Sequence, residues 1–193
     1  MNSAAGPERM GDIALEKMSE AQKKVAADIS AGPRGKVRGP FMVLLRSPGL
    51  AGPAQQMGEY LRFKCSLDRR IIELISILTA RDWTQNYEWF AHSEYALKAG
   101  VKAETVEAIR EGRRPREMAA DEEITYDFVT ELVTTRGVSD KTYERTKASF
   151  GEAGVVDITG LVGYYSFLAM QMNVARTALP EGKAPPPLPR LPL

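Results

Sequence analysis

The sequence predicts an all-α protein, and three observations carry that prediction. Apolar residues recur at three- and four-residue spacing, which is the period of an amphipathic helix. Strict alternation of apolar and polar residues, typical of half-buried strands, is nearly absent. Glycine or proline interrupts the pattern every 12 to 25 residues, so that helices alternate with short loops.

Three regions are predicted along the 193 residues. Residues 1–12 are small and polar and form a flexible N-terminal tail. Residues 13–179 form a single all-helical domain, for which the length is appropriate. Residues 180–193 are too rich in proline for a helix and form an extended, polyproline-like C-terminal arm.

The first helix is predicted to begin at Ser19 and to end near Ile29. Ser19 can cap the helix while the Gln22 side chain reaches back to it in a capping box. The next stretch, 31–41, holds three glycines and two prolines and is therefore a loop, and a short apolar turn follows it at 42–45.

Glycine and proline residues also mark the ends of the later helices. Ser47 and Pro48 begin a helical segment that Gly52 and Pro53 should interrupt before it runs on towards Lys64. Further helices are predicted at 68–82, 85–99, 102–111, 119–136, 139–150 and 155–178, with breaks at Gly100, 112–115, Gly137 and 151–154.

Charge and cysteine content exclude several classes of function. The 26 basic and 25 acidic side chains give a net charge of +1 and no basic stripe, so we expect no nucleic-acid partner. The single cysteine, Cys65, excludes dithiol chemistry and fits a reducing compartment. The longest apolar-rich run, 161–170, is half of what a bilayer crossing needs, so we expect a soluble, cytoplasmic protein without a membrane partner.

Glu73 is out of place in the predicted helix 68–82. That helix is apolar nearly all round, which is typical of a helix buried inside a protein. A buried carboxylate costs several kcal/mol unless it is paired, hydrogen-bonded or protonated. Glu73 is therefore a candidate functional residue.

Four polar residues form one stripe on the predicted helix 85–99: Gln85, Glu88, His92 and Tyr95. Their spacing of 3, 4 and 3 residues places them on one face. The exposed side of the helix is marked by the i, i+4 pair of Glu94 and Lys98, so the stripe should face the core. Glu88 and His92 can share a hydrogen bond that fixes the imidazole tautomer and sets a proton donor beside an acceptor.

Structural interpretations of these residues remain open. A Glu–His pair on a helix is also typical of a satisfied buried contact. Glu73, Glu88 and His92 could ligate a metal, but the usual ligand motifs HExxH and ExxH are absent and we predict no metal site. Tyr87 and Trp89 lie outside the stripe and are interpreted as packing residues. Cys65 is interpreted as a part-buried thiol.

The run from Glu73 to Gly100, ELISILTARDWTQNYEWFAHSEYALKAG, resembles the core signature of the carboxymuconolactone decarboxylase and alkylhydroperoxidase D superfamily. The resemblance includes Thr79-Ala80-Arg81, Tyr87-Glu88-Trp89 with His92, and the glycine that ends the helix. It implies an alkylhydroperoxidase D-like helical bundle with helices 68–82 and 85–99 as a central antiparallel hairpin. It also implies a homo-oligomer, a trimer or hexamer.

The two branches of this superfamily imply different activities. In the peroxidase branch a CxxC pair performs the redox chemistry, and the corresponding positions here are Gln85 and Glu88. Neither side chain can form a disulfide or a sulfenic acid, so we do not expect this protein to have the peroxidase activity of that branch. The decarboxylase branch has Tyr-Glu followed by a His four residues after the Glu, as in this sequence.

The resemblance implies a cofactor-free carboxy-lyase that decarboxylates a small carboxylated lactone or a related intermediate of aromatic-compound catabolism. We assign His92 and Glu88 to proton transfer and Glu73 to orienting them. Gln85 and Tyr95 are candidate substrate-binding residues. Arg34 and Arg38, in the glycine-rich loop, could hold substrate carboxylates or could be solvated loop charges.

Two other classes of function remain open at this point. One is an alkylhydroperoxidase-like, peroxiredoxin-type antioxidant protein that uses Cys65 alone, although this cysteine lies outside the motif. The other is a non-catalytic oligomeric protein that binds a small ligand. The last predicted helix favours an oligomer independently, because it is apolar on most sides and has Gly160 and Gly163 where another helix could approach.

Overall fold

A computed structural model describes residues 6–180, 182–183 and 186–189, and within these ranges the protein consists of helices and loops without a strand. A short 3-10 turn, Leu15–Lys17, precedes the α-helices. The α-helices are α1 (Glu20–Ala31), α2 (Pro40–Leu44), α3 (Pro48–Phe63), α4 (Arg69–Asp82), α5 (Asn86–Lys98), α6 (Ala103–Arg110), α7 (Ala120–Thr135) and α8 (Asp140–Ala175). The predicted all-α fold class is confirmed.

Helix α4 is the centre of the bundle. Every residue from Ile71 to Arg81 is buried, as the nearly all-round apolar sequence predicts. Helices α5, α6, α7 and α8 all pack against α4, and α8 in turn packs against α2, α3 and α7. Helices α4 and α5 form the central antiparallel hairpin, and the residues 83–85 join them.

Several local predictions are confirmed in detail. Ser19 caps α1, and its capping box with Gln22 is complete: the Gln22 N–H donates to Ser19 and the Ser19 N–H donates to the Gln22 side chain. The Glu94–Lys98 pair lies on the exposed face of α5, with 2.6 Å between its charged atoms. The stripe on the opposite side of α5 therefore faces the core.

One predicted helix break is wrong and another is confirmed. Helix α3 continues through Pro53. A proline inside a helix removes one hydrogen bond, and burial of Ala51, Ala54 and Leu61 on the inner face offsets that loss. The break predicted at 151–154 is present at Gly151, whose φ of 70° and ψ of 175° are not helical, so α8 consists of two helical segments that meet at a kink.

Helix α8 is long and apolar enough to cross a membrane by length and composition alone. Its most apolar 18-residue window has a mean hydropathy of 1.3 and is 50% buried within the protein. The core helix of a soluble protein meets the same criteria, so this property is weak support for a membrane span.

The chain ends lie partly outside the described residues. This applies to residues 1–5 of the predicted tail and to residues 181, 184–185 and 190–193 of the predicted C-terminal arm. Within the described part of the arm, Leu188 is only 6% exposed and packs into the core. Its backbone N–H donates to Asn86 Oδ1 at 2.8 Å, at the start of α5.

Candidate functional site

A cavity of about 280 Å³ opens beside the inner face of α5. Its walls come from α5, the end of α3, the middle of α8 and the loop before α2. Five cationic residues line it: Arg34, Lys36, Arg38, Arg62 and Arg69. Glu88 is the one carboxylate among the described lining residues. The size suits a small molecule, and the charge favours an anion.

His92 and Glu73 form the central polar contact of the site. The His92 Nδ1 atom lies 2.6 Å from Glu73 Oε2 and both side chains are buried. The other carboxylate oxygen of Glu73 lies 2.5 Å from Arg69 Nη2 and 3.8 Å from Arg62 Nη2. The paired cations give Glu73 the partners that a buried carboxylate requires.

The protonation states follow from this arrangement. Burial opposes ionisation of Glu73, but His92, Arg69 and Arg62 together outweigh it and lower the pKa of the carboxyl. Burial also lowers the pKa of His92, and the attraction of Glu73 offsets only part of that effect. At neutral pH an ionised Glu73 therefore accepts a hydrogen bond from Nδ1–H of a neutral His92. Within the described part of the chain the Nε2 atom of His92 has no hydrogen-bond partner and remains available as a base.

Glu88 is buried in the cavity wall without a compensating charge. Burial raises the pKa of its carboxyl well above the usual value, and Arg62 opposes this only in part. Its Oε2 atom is buried and has no hydrogen-bond partner in the described structure. The protonated form of Glu88 is therefore favoured, and in that form it can donate a proton into the cavity.

The predicted hydrogen bond between Glu88 and His92 is not formed. Both residues lie on the inner face of α5, as predicted, but the imidazole turns to Glu73 on α4. Glu73, whose pKa is lowered, is a better acceptor for Nδ1–H than Glu88, whose pKa is raised. The structure thus separates the two proton-handling groups: one is a base supported by a carboxylate, and the other is an isolated acid.

Gln85 does not belong to the cavity, in contrast to the prediction. It precedes α5 and caps that helix: its side-chain oxygen accepts hydrogen bonds from the N–H groups of Tyr87 and Glu88. Its amide nitrogen donates to Asn173 Oδ1 at 3.0 Å. Since these contacts engage both ends of the amide, Gln85 positions the start of α5, and it is not among the lining residues of the cavity.

Tyr95, Arg34 and Arg38 all line the cavity, as predicted. Arg38 donates to the Tyr95 hydroxyl at 3.3 Å, and Arg34 donates to the Tyr164 hydroxyl at 3.1 Å. The loop that holds both arginines therefore closes over the stripe of α5. Tyr87, interpreted from the sequence as a packing residue, also lines the cavity.

Several lining residues were not predicted from the sequence, among them Arg62, Arg69, Tyr164 and Tyr165. The Tyr165 ring packs edge-on against His92, with 4.9 Å between ring centroids. A signal existed for Arg69, which stands four residues before Glu73 on the same helix. Two adjacent tyrosines in an otherwise apolar helix were a weaker signal.

The placement of the side chains does not favour metal binding or thiol chemistry. The described residues contain no group of three or more His, Cys, Asp or Glu side chains placed to hold a metal ion. Cys65 is half-buried outside the cavity lining, and its Sγ–H donates to the Leu61 carbonyl at 3.1 Å. Burial raises the pKa of this thiol, which disfavours the reactive thiolate.

Comparisons with known proteins support the fold. No family model and no curated protein matches the sequence. Among solved structures, the chain is similar to a protein of unknown function from Agrobacterium tumefaciens that has been proposed to be the antioxidant defence protein AhpD. The two share 17% sequence identity at a TM-score of 0.63, over 71% of this chain and 94% of the other. The similarity shows an AhpD-like fold.

Proposed function

We propose that the protein is a cofactor-free carboxy-lyase acting on a small carboxylated lactone or a related intermediate of aromatic-compound catabolism. The observation that carries the proposal is that one cation-lined cavity holds a buried histidine and a separate buried carboxyl group. The base is His92, held through Nδ1 by Glu73, and the acid is Glu88. Such a pair suits a reaction that takes up and returns protons at defined atoms.

The proposed reaction is the loss of CO2 from an unsaturated lactone acid. The bond between the ring carbon and the carboxylate breaks, and its electron pair moves into the conjugated lactone carbonyl, giving an enolate. The cavity arginines stabilise this charge as it develops. Glu88 then donates its proton to the carbanionic carbon and regains one from solvent, and His92 can relay that proton through Nε2. The lactone carbonyl itself accepts the electron pair, so the reaction needs no added cofactor.

The charge of the cavity supports an anionic substrate. Glu73 pairs with Arg69 and, at longer range, with Arg62, but Arg34, Lys36 and Arg38 have no ion pair with a described carboxylate. Guanidinium groups bind carboxylates through two parallel hydrogen bonds. An anionic substrate would compensate Arg34, which is partly buried, whereas Lys36 and Arg38 are exposed to solvent.

The two alternatives from the sequence have less support. A peroxidase needs a reactive thiol in the site, whereas Gln85 and Glu88 occupy the positions of the redox cysteines and Cys65 lies outside the cavity lining. A non-catalytic binding protein would explain the cations but not the buried Glu88 carboxyl beside an oriented imidazole.

Turnover of a carboxymuconolactone in D2O tests the proposal. We expect release of CO2 and incorporation of one deuteron at a defined carbon, seen by NMR. His92→Ala and Glu88→Gln should each lower the rate by about 10²-fold or more. The matched control is Arg116→Gln, which changes an exposed residue and should leave the rate unchanged. Binding of the lactone without CO2 release or deuterium exchange would favour the binding protein, and consumption of hydroperoxide with a thiol would favour the peroxidase.

A further inference from the structure

Arg62 is a largely buried arginine without a close carboxylate partner. Its side chain is 13% exposed, and the nearest charged oxygen, Glu73 Oε1, is 3.8 Å from Nη2, beyond hydrogen-bond distance. That oxygen already has a partner in Arg69 Nη2 at 2.5 Å. The Nε atom of Arg62 is buried and has no hydrogen-bond partner in the described structure. The Arg62 guanidinium lines the cavity, so its unpartnered Nε belongs to the cavity wall.

Arg34 presents a second guanidinium to the same cavity. Its Nη2 donates to the Tyr164 hydroxyl at 3.1 Å, and its guanidinium carbon lies 4.5 Å above the centre of the Phe41 ring. The Nε atom is buried and unpartnered, like that of Arg62. Neither arginine makes a close ion pair with a described carboxylate.

Gly58 on α3 makes room for this arrangement. A Cβ atom at position 58 would lie 2.0 Å from the Tyr164 hydroxyl and 2.5 Å from Arg34 Nη2. Any larger residue would therefore displace the Arg34–Tyr164 pair from the cavity wall. The helix thus keeps its smallest residue where these two polar groups meet.

Arg62 and Arg34 are neighbouring cations in one cavity wall, and the ion pair of Arg62 with Glu73, at 3.8 Å, is a long one. Burial and the repulsion from Arg62 both lower the pKa of Arg34. Buried polar atoms in folded proteins nearly always have partners, so unpartnered donors that share one cavity indicate a ligand. The unpartnered Oε2 of Glu88 lies in the same wall and offers a further hydrogen bond.

We propose that Arg62 and Arg34 form a buried subsite that binds a carboxylate group of a small organic acid, with the Glu88 carboxyl as an additional donor. A planar carboxylate matches the fork of a guanidinium, and the two arginines supply enough donors for both of its oxygens. The subsite deepens the proposed function, but only its link to catalysis rests on that function. The proposal assigns carboxylate binding to Arg62, on α3, in addition to the loop residue Arg34.

Binding of benzoate and benzamide tests the subsite without any turnover. The two probes have nearly the same shape but differ in charge, and inorganic phosphate serves as a small anion of another geometry. By titration calorimetry we expect the wild-type protein to bind benzoate at least tenfold more tightly than benzamide or phosphate. Arg62→Gln and Arg34→Gln should each weaken benzoate binding at least tenfold and leave benzamide binding unchanged. The exposed Arg116→Gln is the matched control.

Thermal unfolding separates a binding role of Arg62 from a structural one. Arg69 makes the close ion pair with Glu73, so Arg69→Met should lower the melting temperature. Arg62→Met removes a cation that makes only a long ion pair with Glu73 and keeps an apolar stem, so without ligand its melting temperature should fall much less than that of Arg69→Met. It should also lose the increase in melting temperature that benzoate gives to the wild-type protein.

Three outcomes would overturn the subsite. The first is equal binding of benzoate and phosphate, and the second is no benzoate binding by the wild-type protein at millimolar concentration. The third is a loss of stability in Arg62→Met as large as in Arg69→Met, with benzoate binding retained.

The proposed function can fail independently of the subsite. If the arginine variants lose benzoate binding but no lactone is decarboxylated, the subsite stands and the reaction does not. If catalysis is found and the variants bind benzoate normally, the subsite alone is wrong.

Discussion

The His92 imidazole on α5 donates through Nδ1 to the Glu73 carboxylate on α4, across 2.6 Å and 19 positions of sequence. The contact joins the two arms of the central hairpin and fixes one tautomer of the imidazole. It also leaves Glu88, one turn before His92, without a partner for its buried Oε2. The site therefore contains one titratable group whose pKa folding lowers, Glu73, and one whose pKa it raises, Glu88.

Glu88→Gln should stabilise the protein at neutral pH. Burial raises the pKa of Glu88, so the folded state keeps a proton that the unfolded chain releases above about pH 4.3, the ordinary value for Glu. The wild-type protein therefore loses stability as the pH rises from about 4.3 towards the pKa of Glu88 in the folded state. The loss is up to about 1.4 kcal/mol of unfolding free energy per pH unit. Glutamine has the same shape and does not ionise.

Melting temperatures of the wild-type and Glu88→Gln proteins between pH 4 and 8 measure this effect. The two curves should meet near pH 4 and diverge above it, with the variant the more stable. Turnover of the variant should nevertheless be lower, which is the usual relation between a strained functional group and stability. A variant that is less stable than the wild type at pH 8 would show that Glu88 is ionised and paired.

Glu73→Gln should change both stability and the pH profile of activity. Several groups lower the pKa of Glu73, so its charge contributes stability above the ordinary Glu pKa of about 4.3, and that contribution is lost as the pH falls through the folded value. The variant should be less stable by about 1–3 kcal/mol at pH 7, because Arg69 loses its carboxylate partner, and the difference should shrink in acid.

Activity against pH is the second measurement on Glu73→Gln. The Glu73 charge raises the pKa of His92 against the effect of burial, so its removal lowers that pKa further. The acid limb of the kcat/KM profile should therefore move to lower pH, and the imidazole should stay oriented because glutamine can still accept from Nδ1–H. An unchanged profile with full activity across pH 5 to 9 would remove Glu73 from the mechanism.

The sequence could predict which faces meet but not which atoms bond. Helical periodicity places Glu73, Glu88 and His92 towards the core, and all three are buried. The choice of Glu73 over Glu88 as the partner of His92 depends on how α4 packs against α5, which spacing along one helix does not encode. Arg62 and Tyr164 were missed for the same reason, since α3 and α8 reach the cavity only through tertiary packing.

Gln85 shows a second limit of the periodicity argument. The predicted stripe requires residue 85 to be helical. In the structure α5 begins at Asn86, and Gln85 has the extended dihedral angles φ −91° and ψ 103°. A side chain at that position turns back to cap the first backbone N–H groups. Helix boundaries carry an uncertainty of a few residues in any sequence-based prediction, and here one residue separates a ligand contact from a cap.

The buried Leu188 predicts that the proline-rich segment contributes to stability. Its side chain is 6% exposed and its N–H donates to Asn86 Oδ1. Leu188→Ala should therefore cost about 2 kcal/mol and Asn86→Ala about 1 kcal/mol, measured by urea unfolding. Pro187→Ala, next to Leu188, is the control for a general effect of the segment and should cost less. Wild-type stability in Leu188→Ala would show that the segment does not dock in solution.

The outer face of α8 predicts a homo-oligomer. Between Val155 and Ala175 the helix has one charged residue, Asp157, and that residue is buried. The exposed face carries Val156, Met170 and Val174 at 69%, 42% and 58% exposure. A long apolar face of this kind indicates a partner surface, and an antiparallel or parallel contact between copies of α8 would cover it.

Light scattering at micromolar concentration measures the assembly. We expect a mass three or six times the 21.3 kDa of the chain. The double variant Val156→Lys, Val174→Lys places two charges on the outer face and should shift the protein towards the monomer, because burying an unpaired lysine in an interface is costly. The control is Lys141→Gln, an exposed position at the start of α8. A wild-type monomer of 21.3 kDa would contradict the prediction, and binding to lipid vesicles in place of self-association would assign the apolar face to a membrane surface.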